Sequence, residues 1–303
     1  MLYAAVSSIA AQILLIVLNY VSPGIYGEVL ELRVILSIVA IYGPAFWILM
    51  ILARYIKREP IAEKNKVGVG VWLLYFVVGL GVMGLGSQIS NVVDAILEII
   101  LRGVPSGEVD NIYAEGNVFL TAVYAVIIAP VGEEFVFRKI IIDRTRSFGG
   151  PICIILSAIM FGLMHGNIIQ AIPAFGAGLV LGYLYYRYGR LLPCILIHAG
   201  INLYSTASTL VATRVINNVF PTFSLEAVIE NLVFIIALLL FAMISVGCMT
   251  AAIVLPIALR KKIIFDAPST PIPRGQKFRT VALNVGVILM FIVYIAEIFI
   301  SYI

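Results

Sequence analysis

Charge is scarce in this chain: Asp, Glu, Lys and Arg together supply 12% of 303 residues, while apolar types supply 62%. With a mean hydropathy of +1.09, a soluble domain of this length could not hide so much apolar surface. Cysteine is nearly absent. Cys153, Cys194 and Cys248 are scattered through apolar stretches without paired spacing; they read as small packing hydrophobes and argue neither for a disulfide framework nor for a thiolate metal site. Histidine is rarer still, with two residues and no His-Glu-x-x-His pattern. No internal repeat is evident, which weighs against a transporter built from matching halves. The excess of four positive charges needs no nucleic-acid partner; the basic residues orient the chain and meet anionic lipid.

What is present is a series of long apolar runs. At roughly 20 residues per crossing, they predict an all-α, polytopic membrane helix bundle of about nine spans: about 3–21, 34–53, 67–88, 117–138, 151–166, 168–187, 191–211, 231–258 and 281–302. The short fifth span joins the sixth through a tight turn near Gly166-Asn167. Basic residues follow the even-numbered spans: Arg54, Lys57, Arg58, Lys64 and Lys66; Lys139, Arg144 and Arg146; Arg187 and Arg190; and Arg260 to Arg279. Acidic residues occupy the other loops: Glu28 and Glu31; Glu108, Asp110 and Glu115; Glu226 and Glu230. The positive-inside rule then places the N-terminus in the cytoplasm. The first basic residue is Arg33, so no positive n-region precedes the first span, and that span is expected to be kept. Gln88 to Arg102, with Asp94 and Glu98 on one helical face, reads as an amphipathic helix at the outer interface. Phe265 to Arg274 is proline-rich and reads as a loose cytoplasmic tether for the last span.

Three polar motifs interrupt the apolar runs. An ionisable group in hydrocarbon costs several kcal/mol, on the order of 3 by insertion scales, and so marks a functional site. In Glu133-Glu134-x-x-x-Arg138, Glu134 and Arg138 are four apart and can pair along a helix. Glu133 is rotated about 100° away, which leaves it as the chemical carboxylate. Pro130 lacks an N–H and frees the carbonyl of Val126 in an α-helix. In Phe161-x-x-x-His165 the ring can buttress the imidazole. In His198-x-x-x-Asn202 both side chains share a face and can donate hydrogen bonds into one cavity, as a developing oxyanion requires. Each motif also has a plain reading: a juxtamembrane ion pair, a packing histidine, an interhelical clasp. Gly178 and Gly182, with Gly176 beside them, form a small-residue stripe that lets helices approach. Counted from the predicted cytoplasmic ends at 1.5 Å per residue, Glu133 and His198 lie roughly 7 and 12 Å deep but His165 roughly 21 Å. That mismatch is an obstacle to a single site.

In this order the three motifs resemble the signatures of the CAAX prenyl protease and bacteriocin-processing family (ABI, CPBP) of intramembrane proteases. The resemblance covers about residues 117–205, the expected catalytic core of a single membrane domain spanning 1–303. Residues 1–116 and 206–303 then supply accessory helices. Phe175 to Gly189 also looks like the family's glycine-rich span. The resemblance implies that Glu133 and His165 activate a water molecule and that His198 and Asn202 hold the tetrahedral oxyanion. Glu134, Arg138 and Phe161 would support them. It implies a peptide or prenylated protein substrate beside the bilayer, and no nucleic acid. Glu133, His165 and His198 are also ligands that one divalent metal, zinc for example, accepts; the preferred expectation is carboxylate-activated water without metal. A non-catalytic scaffold or bacteriocin self-immunity protein is the alternative. Short loops favour a prokaryotic plasma membrane.

Overall fold

A computed structural model describes residues 46–59, 66–101, 118–281 and 283–300. The expected first span, most of the second, the acidic residues Glu28, Glu31, Glu108, Asp110 and Glu115, and the cytoplasmic N-terminus lie outside these residues. The described elements are helical: α1 (Phe46–Ala53), α2 (Val69–Leu101), α3 (Val118–Phe148), α4 (Gly150–Leu163), α5 (Ile168–Tyr188), α6 (Leu191–Val219), α7 (Leu225–Glu230), α8 (Leu232–Ala258), α9 (Lys277–Val281) and α10 (Val285–Ile300). Five of these, α2, α3, α5, α6 and α8, are long and apolar enough to cross a membrane, and α4 and α10 are shorter apolar helices. The protein is a polytopic helical membrane protein.

α5 is the hub. It packs most extensively on α2 and α4, and half of its apolar window is buried, against 6% for α8. Small residues make this possible. A Cβ on Gly178 would lie 3.0 Å from the Ala158 backbone of α4, and one on Gly182 would lie 3.2 Å from Ile154. On the opposite side, a Cβ on Gly176 would strike Val82 of α2. The expected stripe therefore serves both neighbours. The core beside it is apolar, with Leu181, Leu184, Tyr185, Cys194, Ile197 and Ile201 buried. The three cysteines are buried and free, as small hydrophobes. α8 is apolar on every side because lipid, in place of protein, is its solvent.

Two expectations change. Gln88 to Leu101 does not form a separate interfacial helix; it continues α2, a single helix of 33 residues and roughly 50 Å. No proline or glycine interrupts the chain between Gly86 and Leu101, so nothing breaks the hydrogen-bond ladder there. The proline-rich stretch is not a loose tether either. Asp266 N–H donates to Tyr186 Oη at 2.9 Å and Ile264 N–H to Tyr183 Oη at 3.1 Å. Phe265 packs on both tyrosine rings, Arg146 pairs with Asp266 at 3.1 Å, and Thr270 N–H reaches Ser147 O. The turn between α4 and α5 is as expected: Gly166 has φ 66°, and Asn167 caps α5 by accepting the Gln170 N–H at 2.9 Å.

Asp143, at the far end of α3, escaped the sequence reading. It is fully buried, accepts Arg58 Nε and Tyr185 Oη at 2.9 Å each, and has Lys139 Nζ at 3.6 Å. It ties α3 to α5 and to the segment after α1.

Gly178→Val is expected to wedge α4 from α5 and cost about 1–3 kcal/mol by overpacking. Gly247→Ala in α8, where a Cβ would meet nothing within 4 Å, should change stability by no more than about 0.5 kcal/mol. Thermal unfolding in detergent would compare the two.

Candidate active site

The site is built on an irregular helix. α3 is α-helical at Val118–Val123, π-helical at Tyr124–Ile128, α-helical at Ala129–Glu134 and π-helical again at Phe135–Ile142. In the first π stretch the Ala129 N–H bonds the Tyr124 carbonyl, five residues back. The next donor in that ladder would be residue 130, a proline without an N–H. Its abandoned acceptor is the carbonyl of Ala125, which instead receives Asn202 Nδ2 at 2.7 Å. The freed carbonyl is thus Ala125 and not Val126, because the π register moves it by one residue.

Glu134 and Arg138 form the expected pair. Arg138 Nε donates to Glu134 Oε2 at 2.8 Å and Nη2 to Oε1 at 3.2 Å, with both side chains 0% exposed. The remaining guanidinium nitrogen, Nη1, donates to Ser157 Oγ at 2.9 Å, and the Ser157 hydroxyl donates in turn to Phe137 O at 2.7 Å. The guanidinium also sits over the Phe161 ring, 5.2 Å from its centroid. A buried carboxylate is costly unless paired and fully hydrogen-bonded, and this one has three donors. The third is His198 Nδ1, 3.0 Å from Glu134 Oε1. A carboxylate between those donors accepts, so Nδ1 carries the hydrogen and Nε2 turns the other way.

That other way leads to Glu133, whose Oε2 is 3.7 Å from His198 Nε2. The separation is an ion-pair distance and too long for a hydrogen bond. Glu133 retains 11% side-chain exposure and His198 8%, so they form the approachable side of the cluster while Glu134 is sealed.

Phe161 holds the histidines in place. Its ring stands edge to face with His165 (5.4 Å) and with His198 (5.5 Å). His165 lies in the turn just beyond α4, where its Nδ1–H donates to Phe161 O at 3.0 Å. Its backbone carbonyl accepts Asn167 Nδ2 at 2.9 Å. A carbonyl can only accept, so His165 Nδ1 carries a hydrogen and Nε2 points away from that bond.

The depth mismatch dissolves for a simple reason. α3 runs on to Phe148, ten residues past the expected end, so Glu133 lies roughly 22 Å from that end. His165 is equally far, roughly 22 Å, from the start of α4 at Gly150. His198 touches Glu134 and so shares their level. All seven residues named from the sequence thus fall in one neighbourhood. The sequence reading missed Ser157, although Ser157 and Phe161 are four apart on one face of α4. It also missed the bond from His198 to Glu134.

The residues do not fit a metal centre as arranged. Among the described residues, no three His, Cys, Asp or Glu side chains are grouped so that they could hold one ion. Glu133, His165 and His198 do not converge as a ligand set.

Residues 115–204 match the family model described as type II CAAX prenyl endopeptidase Rce1-like. The chain is also 23% identical over 176 residues to a Bacillus subtilis (strain 168) protein named "Putative membrane peptidase YdiL". That alignment covers 52% of this chain and 64% of the relative, so the chain spans less than two thirds of the relative's length. No solved structure matches. Both matches support the CAAX protease (CPBP) family, and the matched segment contains all three motifs.

Arg138→Met would leave Glu134 buried without its cation and is expected to cost about 3–5 kcal/mol. Ser157→Ala, which removes one neutral link, should cost about 1–3 kcal/mol. Folded yield and unfolding temperature would rank them, with Arg138→Met the more damaging.

Proposed function

We propose that the chain is an intramembrane endopeptidase that hydrolyses a peptide bond with a Glu133-activated water. One observation carries this reading: Glu134 is neutralised and sealed by Arg138, while Glu133 keeps an approachable oxygen facing His198. Two carboxylates with different surroundings take different roles.

Glu133, assisted by His165 Nε2, takes a proton from water as its oxygen attacks the scissile carbonyl carbon. The carbonyl oxygen becomes an oxyanion. His198 Nε2–H, present when the ring carries its second proton, and the second hydrogen of Asn202 Nδ2 donate to it. The intermediate then collapses, the C–N bond breaks, and Glu133 returns its proton to the leaving amine. Donors fixed in a site closed to most water act more strongly than in solution. The proposed substrate is a peptide at the membrane, of the C-terminal prenylated CAAX class that the family description names.

The test is cleavage of fluorogenic farnesylated CAAX peptides by detergent-purified protein. Glu133→Gln is expected to lower the rate by about 100- to 10,000-fold while the protein folds normally. A strong chelator should leave the wild-type rate unchanged, given the arrangement of the three candidate ligands. Normal cleavage by Glu133→Gln would remove the assignment.

A further inference from the structure

A π-helical turn carries one more residue than the α-helix around it, and such turns are rare and concentrated at functional sites. In α3 two of them bracket Glu133 and Glu134. Inserting a residue rotates everything beyond it by about 100°, so the direction of Glu133 depends on the register held at Tyr124–Ile128. The backbone alone cannot hold that register. In the π ladder Pro130 leaves the Ala125 carbonyl without a donor; in an α ladder it would leave Val126 without one.

We infer that Asn202 is a positioning residue whose carboxamide replaces the backbone donor that Pro130 lacks, and so fixes the register that aims Glu133 at His198. The geometry is direct. Asn202 Nδ2 lies 2.7 Å from Ala125 O, which is the acceptor that the π register assigns to residue 130. Asn202 shares a helical face with His198, four residues earlier, and His198 holds Glu134 at 3.0 Å. One face of α6 thereby grips α3 twice, at a backbone carbonyl before the break and at a carboxylate after it. The second π stretch has a matching support, since Ser157 Oγ donates to the Phe137 carbonyl at 2.7 Å. The Asn202 nitrogen carries two hydrogens, so holding Ala125 leaves one for the oxyanion. The inference rests on the peptidase reading for its kinetic half alone.

The test is a cycle of Asn202→Ala in two backgrounds, native and Pro130→Ala. The Pro130→Ala change restores a backbone N–H, which satisfies the helix in either register. Asn202→Ala is expected to lower the unfolding temperature by about 2–6 °C in the native background. In the Pro130→Ala background the drop should shrink below about 1 °C. Equal drops in the two backgrounds, or none in either, would overturn the inference. The kinetic half uses the same four proteins. Asn202→Ala should reduce kcat, with KM within about twofold, at least tenfold more in the native background than in the Pro130→Ala background. Equal kcat losses would mean that Asn202 serves the oxyanion alone. If Asn202→Ala does not fold, Asn202→Leu, of similar size and without a donor, takes its place. Absence of cleavage by wild type would count against the peptidase reading, while the unfolding temperatures would still decide the role of Asn202.

Discussion

The structure depends on what must be done with one carboxylate. Glu134 is wholly buried among apolar helices, where an unpaired charge is prohibitive. Its two oxygens are met by Arg138 from its own helix and His198 from α6. Arg138 in turn recruits Ser157 of α4 and rests on Phe161. Three helices are therefore held together by the satisfaction of a single buried group. This is how hydrogen bonds organise a bundle in lipid, where apolar contact by itself gives little preference for one arrangement.

The same pairing gives the two neighbouring carboxylates different surroundings. Because Glu134 is neutralised and sealed, the neighbouring Glu133 is free of structural duty and keeps an approachable oxygen. Phe161 stands edge to face with both imidazoles, and His198 Nε2 lies 3.7 Å from that oxygen. The irregular backbone of α3 belongs to the same design. A regular α-helix would free the Val126 carbonyl instead of Ala125, and the break is tolerated here because protein side chains re-satisfy it. Close helix approach at Gly178 and Gly182 makes room for this assembly, and the Asp143 cluster pins the far end of α3 to α5.

The polar residues of the site were legible because apolar surroundings make each exception conspicuous. Spacing by four identified the Glu134–Arg138 pair, the Phe161–His165 contact and the shared face of His198 and Asn202. What spacing could not give was partner choice across helices, so the bond from His198 to Glu134 was invisible. The end of α3 was misjudged because Lys139, Arg144 and Arg146 were read as following it, whereas the helix runs on through them to Phe148. The π turns shift register by one residue, and sequence periodicity averages that away; hence Val126 was expected where Ala125 is found. Ser157 was passed over because a lone serine in a membrane helix is ordinarily satisfied by its own backbone.

The most direct test of the account is the unfolding temperature of Glu134→Leu/Arg138→Met beside that of Arg138→Met. If burial of the Glu134 charge is the governing constraint, removing both partners should recover much of what the single change loses, because no uncompensated charge remains. A double variant less stable than the single one would contradict the account. The helices would then be held by something other than that carboxylate.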